Sequence, residues 1–310
     1  RAEYVNQDYI LHKLGRPHRA IGIMYTYYPH DKQWPQRISK ACKDMNITFQ
    51  WDYPYDDYFP FNADGQPWEQ MRDIRRHGQD AALTLTLDCS LSDDELREVA
   101  RMLRPYGRMT IRINHECGGT WFTHNKRFTY EQVGKFFAHF SDIIHQEAPN
   151  VRTVFCAGFA QADGKLEKED EFAVAYRAAD VWSADCYLAL HYGWPYDVAE
   201  VGGGQYKADS VGMYYDMFRR TYERASSQFG AKPLVTAEFN TDGDVTGPCH
   251  QGESVIRFAK AFRDHQADWF KAISLYQFRD RGRLGLEIGA VSLRSLPGGH
   301  RLLDGFKDTQ

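Results

Sequence analysis

Two glutamates stand out by type and position, each closing a short run that alternates like a strand. Arg112-Ile113-Asn114-His115-Glu116 ends the run 108–116, and Thr236-Ala237-Glu238-Phe239-Asn240 ends the run 233–240. Side chains on a strand point alternately to its two faces. Ile111 and Ile113 therefore share one face while Arg112, Asn114 and Glu116 share the other. In the second run Val235, Ala237 and Phe239 oppose Thr236, Glu238 and Asn240. A third run, 181–188, sets Ser183, Asp185 and Tyr187 against Trp182, Ala184 and Cys186. Carboxyl groups at strand ends suit acid/base and nucleophilic chemistry, in which one keeps its proton near neutral pH and the other stays ionised.

The elements that must position these groups recur along the whole chain. Strands are expected at 20–28, 47–52, 81–89, 108–116, 151–159, 181–188, 233–240 and 272–280, with helices over 34–45, 67–78, 92–104, 129–147, 168–179, 209–229 and 252–267. Ser92 followed by Glu95, and Thr129 followed by Gln132, have the spacing of capping boxes at two helix starts. Strict alternation of strand and helix implies a parallel sheet, and eight units of about 36 residues predict a single (β/α)8 TIM barrel. A doubly wound sheet would want a glycine fingerprint after the first strand, where Tyr25-Thr26-Tyr27-Tyr28-Pro29-His30 stands instead. One catalytic domain, 1–310, is expected, with 1–19 and 281–310 as flanks packed on it.

In such a barrel the fourth and seventh strands face each other across the mouth, and the expectation puts Glu116 and Glu238 at their rims. Two carboxyl groups about 5–5.5 Å apart cleave a glycosidic bond with retention: one protonates the departing oxygen and the other attacks the anomeric carbon. The general acid needs a raised pKa, which a ring-lined pocket and a neighbouring carboxylate supply.

Composition narrows the partners. With 38 Lys+Arg against 42 Asp+Glu the net charge is −4, which gives no overall field for nucleic acid or an anionic membrane. No run of about eighteen apolar residues is present to span a bilayer. The chain holds 19 Tyr, 19 Phe and 7 Trp, and amphipathic rings suit a surface that stacks on hydroxyl-bearing ligands. Residues 49–61 place seven aromatics in thirteen positions. Trp51 and Asp52 are expected to contact a sugar there, and Trp194 to offer a second wall.

The run Arg112 to Phe122, with its His115-Glu116 pair, Gly118-Gly119 and Trp121-Phe122, resembles the fourth-strand motif of glycoside hydrolase family 26, the β-mannanases and related retaining β-glycanases of clan A. Thr236-Ala237-Glu238-Phe239 is similar to that family's nucleophile strand, and Asp185-Cys186-Tyr187 to its sixth-strand Asp-x-Tyr. The resemblance implies Glu116 as acid/base and Glu238 as nucleophile. It also implies that His115 contacts the substrate and the nucleophile, and that the Tyr187 hydroxyl holds the nucleophile carboxylate. Arg112, Asn114, Trp121 and Asp185 join the expected substrate-binding set. Tyr276 stands near the position where clan members carry an eighth-strand Trp, and Thr123-His124-Asn125 replaces further Trp.

Other signals are weaker. Asn240-Thr241-Asp242-Gly243-Asp244 opens like a calcium loop, but Gln251 occupies the twelfth position where Glu is needed. The six cysteines show no metal-finger spacing, and Cys89 and Cys117 are placed to pair only in an oxidising compartment, with free thiols as the default. The expectation is thus a cofactor-free and metal-free glycosidase, secreted, periplasmic or on the cell surface. It acts as a monomer on a carbohydrate substrate, with mannan favoured and xylan or glucan open. The alternative is a catalytically silent carbohydrate-binding TIM barrel.

Overall fold

The computed structural model of the chain describes residues 4–33, 37, 40, 65–119, 127–188, 210–240, 248–276, 278–280 and 287–288. It divides into two compact units: Arg1–Gly158 with Leu166–Ser183 and Phe229–Lys232, and Phe159–Lys165 with Ala184–Gln228 and Pro233–Gln310.

The first unit carries β1 (Ala20–Tyr27), β2 (Asp80–Leu87), β3 (Met109–Ile113), β4 (Val151–Phe155) and β5 (Val181–Ser183). They pair in chain order and all in parallel. α1 (Gln7–Leu14) precedes β1, and between the strands run α2 (Trp68–Arg76), α3 (Asp93–Met102), α4 (Tyr130–Glu147) and α5 (Ala173–Ala178). Parallel strands covered by helices are buried on both faces. In β2, Leu83, Leu85 and Leu87 are buried, and so are Thr84 and Thr86 between them. Both expected capping boxes form: Ser92 accepts from the Glu95 N–H and Thr129 from the Gln132 N–H, while each third-position side chain reaches back to the cap.

β1 pairs with β2 from Ala20↔Asp80 to Tyr27↔Leu87, so no strand stands between them. The expected strand at 47–52 lies outside the described residues, and its predicted place between these two is taken by direct pairing. Glu116 accordingly follows the third strand of this unit's sheet, not the fourth. The expected helix at 168–179 is shorter, at Ala173–Ala178, and Lys168, with a φ of 49°, lies outside it in a turn.

The second unit pairs β6 (Cys186–Tyr187), β7 (Leu234–Asn240) and β8 (Phe270–Leu275) in parallel. Its helices are α6 (Ser210–Phe229), whose last residue falls in the first unit, and α7 (Pro248–Asp264). From Thr236 to Phe239 the partner strand advances only from Ile273 to Leu275, which puts Ala237 and Glu238 in an irregularity of the ladder. Such bulges re-aim side chains.

Aromatics build both cores. Phe155 on β4 meets Phe137, Phe172 and Tyr176 edge to face at 4.6, 5.2 and 4.9 Å. In the second unit Phe239 stacks on Phe258 at 4.3 Å, and Phe262 on Phe270 at 3.9 Å. Among the described residues, then, much of the aromatic content serves packing. All of the ring-rich segment 51–61, and most of 121–128 and 187–196, lie outside those residues. Among the described residues no helix is long and apolar enough to cross a membrane.

Candidate active site

In the first unit the chemistry-bearing run leaves β3 at Ile113 and turns at once. Asn114 has φ 59° and Glu116 φ 42°, left-handed values that ordinary side chains rarely adopt. The simple alternation expected as far as Glu116 therefore stops at Ile113, and a tight turn instead of the strand aims the carboxyl group. Each such conformation costs on the order of 1–3 kcal/mol and persists only when the surroundings over-determine it.

Those surroundings are hydrogen bonds. The Asn114 N–H donates to Leu85 O at 3.0 Å, its side-chain oxygen accepts from Leu87 N at 2.8 Å, and its amide nitrogen donates to Cys89 Sγ at 3.5 Å. His115 N donates to Thr86 Oγ1 at 3.3 Å. The Glu116 carbonyl accepts from Gly119 N at 3.0 Å, and Gly118 N donates to Ala157 O at 2.7 Å. A Cβ on Gly118 would lie 2.7 Å from Glu167 Cγ and 2.9 Å from Ala157 O, so glycine alone fits there. Arg112 donates from Nη2 to Cys156 Sγ at 3.3 Å. Arg112, Asn114, His115 and Glu116 are all buried, at 4, 2, 4 and 4% exposure.

The loop after β2 is fixed by Asp88, a fully buried carboxylate. It pairs with Arg127 at 2.7 Å and accepts from Ser90 N at 3.0 Å and Ser90 Oγ at 2.7 Å. The described cysteines Cys89, Cys117, Cys156 and Cys186 carry free thiols, and Cys89 and Cys117 are not joined. Burial pushes the Cys89 thiol up to about 12 and raises Cys117 and Cys186 as well. These groups stay protonated near neutral pH and offer no thiolate nucleophile.

In the second unit Glu238 occupies the irregularity of β7 and is 6% exposed. The Tyr187 hydroxyl donates to Glu238 Oε2 at 2.9 Å, the contact that the resemblance implies. Asp185, also buried, accepts the Glu238 backbone N–H through Oδ1 at 3.0 Å. Its carboxylate thus holds the backbone of β7, a part not foreseen beside its expected contact with substrate. Asp185 itself is set by a bridge to Phe159. Phe239, next in the chain, turns its ring onto α7 and so leaves Glu238 the opposite direction.

Tyr276, one residue beyond β8, donates its N–H to Phe239 O at 3.0 Å, and its carbonyl accepts from the Asn240 amide. Its ring meets that of Tyr187 edge to face at 6.3 Å, and Phe159 lies 6.4 Å from the same ring. The Tyr187 carbonyl accepts from the Tyr214 hydroxyl at 3.5 Å. A phenol so braced orients one oxygen of a shielded carboxylate, which can then attack an electrophilic carbon or take up a proton.

Trp51, Asp52, Trp121 and Trp194 lie outside the described residues. Sequence reasoning missed Thr86, Asp88, Cys156, Phe159 and the bracing amide of Asn240. Thr84 and Thr86 on β2 and Asp88 just beyond it alternate with leucines, a period-two polar row that marks the same kind of face as the one containing Glu238. No comparable pattern marks Phe159 or Cys156.

No family model matches the chain, and no curated protein matches it. Solved structures do. One is a family 39 glycoside hydrolase from the gut symbiont Bacteroides cellulosilyticus, at 10% identity and TM-score 0.54, covering 92% of this chain and 58% of that one. Another is the thermostable GH51 alpha-L-arabinofuranosidase from Thermotoga petrophila, at 12% identity and TM-score 0.51, covering 90% of this chain and 59% of that one. The chain thus spans less than two thirds of the length of either structure. The likeness shows the fold, and the chain has the architecture of a (β/α)8 barrel.

Proposed function

We propose that the chain is a retaining β-glycoside hydrolase of the family 26 type, with Glu116 as acid/base and Glu238 as nucleophile. The hydrogen bond from Tyr187 to Glu238 carries this reading, since it favours the ionised carboxylate and fixes the oxygen that must attack. The glycosidases among similar solved structures agree with it. In the first step Glu116 gives its proton to the glycosidic oxygen, the bond from that oxygen to the anomeric carbon breaks, and a Glu238 oxygen bonds to the carbon. In the second, Glu116 takes a proton from water, the hydroxide displaces the ester, and Glu238 leaves as carboxylate. Two inversions retain the β configuration.

His115 and Arg112 contact the sugar beside the cleaved bond in this reading, and Trp51, Asp52, Trp121, Trp194 and Tyr276 line its subsites. The substrate is a β-linked polysaccharide or oligosaccharide, with mannan favoured and xylan or glucan next. The enzyme works as a secreted, periplasmic or cell-surface monomer. Glu238→Gln should reduce turnover by at least about 10³-fold while oligosaccharide binding by calorimetry stays within a few-fold of the parent. Parental turnover in that variant, or a parent that binds β-glycans and never cleaves them, overturns the proposal.

A further inference from the structure

The net charge of −4 conceals a local excess of the opposite sign at the N-terminal ends of the first unit's strands. Asp80, which opens β2, is held by Arg19 at 3.3 Å, by Arg75 at 3.0 Å and by Arg108 at 2.8 Å. Ala20 pairs with Asp80 and Ala81 with Met109, so Arg19 and Arg108 flank Asp80 from the two neighbouring strands. Glu147, the last residue of α4, is held in the same way by Arg97 at 3.1 Å, Arg101 at 2.9 Å and Arg104 at 3.2 Å. Asn150 joins the two groups by donating to Leu103 O at 3.2 Å and Gly107 O at 2.7 Å. The exposed Arg152 of β4 adds a seventh cation beside them.

Two carboxylates are thus each shared among three guanidinium groups. Even with Asp94 and Glu98, whose charges reach Arg101, and Asp180, which accepts from Thr153 beside Arg152, seven arginines face five carboxylates. The side chains of Asp80 and Glu147 are only 14% exposed, while those of Arg19, Arg101, Arg104 and Arg108 are 69, 55, 51 and 65% exposed. A guanidinium carries five N–H donors, and the ion pairs engage only some of them. All seven cations are arginine, whose planar fork matches a carboxylate in two-point contact. Arg101 already makes that contact, with Nε and Nη2 each 2.9 Å from an oxygen of Glu147.

We propose that this arginine rim, at the opposite end of β3 from Glu116, is a docking surface for a carboxylate-bearing polysaccharide, a polyuronate chain. The choice of a glycan as the carrier of the carboxylates rests on the glycosidase reading; the choice of carboxylate rests on the two-point contact that Arg101 makes with Glu147. Docking there would hold the enzyme in an acidic matrix while the far ends of the strands act on a neutral β-glycan.

The test is affinity electrophoresis of the Glu238→Gln chain through gels containing polygalacturonate, its methyl ester, neutral β-mannan or duplex DNA. Polygalacturonate should retard the protein, esterification should abolish the effect, and rising salt should weaken it. The double variant R101Q/R108Q should lose about tenfold in affinity with its circular dichroism spectrum unchanged. R101K/R108K, which keeps the charge and serves if the first variant unfolds, should lose about threefold. No retardation by polygalacturonate, equal retardation by DNA, displacement by an Asp/Glu-rich peptide at lower concentration, or full binding in the lysine variant each overturns the proposal. Turnover of neutral β-glycans is measured separately on the parent, so failure of docking and failure of the glycosidase reading are told apart.

Discussion

At the scale of single residues, the two glutamates are controlled by different means. Glu238 is held by side chains, with the phenol of Tyr187 on its carboxylate and Asp185 on its backbone. Glu116 is held by conformation, in a left-handed turn tied to β2 and β4. The first arrangement favours a charged carboxylate, and its removal has a readable consequence. Tyr187→Phe should lower kcat by about 10- to 100-fold and move the acid limb of the kcat/KM profile to higher pH, with little change in thermal midpoint. A lower kcat with an unmoved acid limb would mean that the hydroxyl serves packing alone. The place of Tyr187 and Glu238 near strand ends was legible in their runs because period two is local. The turn at Asn114 was not, because it depends on acceptors on β2 that are remote in sequence.

At the scale of elements, the loop that follows Glu116 is positioned by lack of volume. Gly118 packs against the backbone of Ala157, which cannot move aside without disturbing the end of β4. Gly118→Ala should destabilise the fold by about 1–3 kcal/mol in urea titration and reduce activity more than that loss of folded population explains. Unchanged stability would show that the strand end yields. Helix starts were readable from Ser92 and Thr129 because a capping box is a short-range pattern. Sheet order was less so. The register of β1 directly on β2 is a long-range fact, and an apolar stretch such as 47–52 looks like a strand whether or not it joins the sheet. The irregularity at Ala237 and Glu238 leaves no mark in composition either, since it arises from how β8 meets β7.

At the scale of the whole molecule, the two kinds of strand end differ in chemistry. The C-terminal ends in each unit carry the buried candidate chemistry, and the N-terminal ends of the first unit carry the arginine rim. That rim makes stability pH-dependent. Hydrogen bonds from Arg101 and Arg97 hold the Glu147 carboxyl down at about 2. A carboxyl depressed on folding contributes stability that is present above its ordinary value near 4.5 and is lost as pH falls toward about 2. Glu147→Gln should therefore lower the thermal midpoint at neutral pH, with the two curves converging as pH drops through that window. Parallel curves from pH 7 to pH 2 would remove Glu147 from the acid response.

The roles proposed for Glu116 as acid/base and Glu238 as nucleophile are tested most directly by the stereochemistry of the first product. The parent chain is mixed with β-mannan, β-glucan and β-xylan oligosaccharides, and the anomeric protons are followed by NMR before mutarotation. A β-anomer formed first on at least one substrate is the predicted result, because two displacements at one carbon restore its configuration. An α-anomer formed first would contradict the covalent role of Glu238, and no cleavage of any β-glycan would contradict the glycosidase itself.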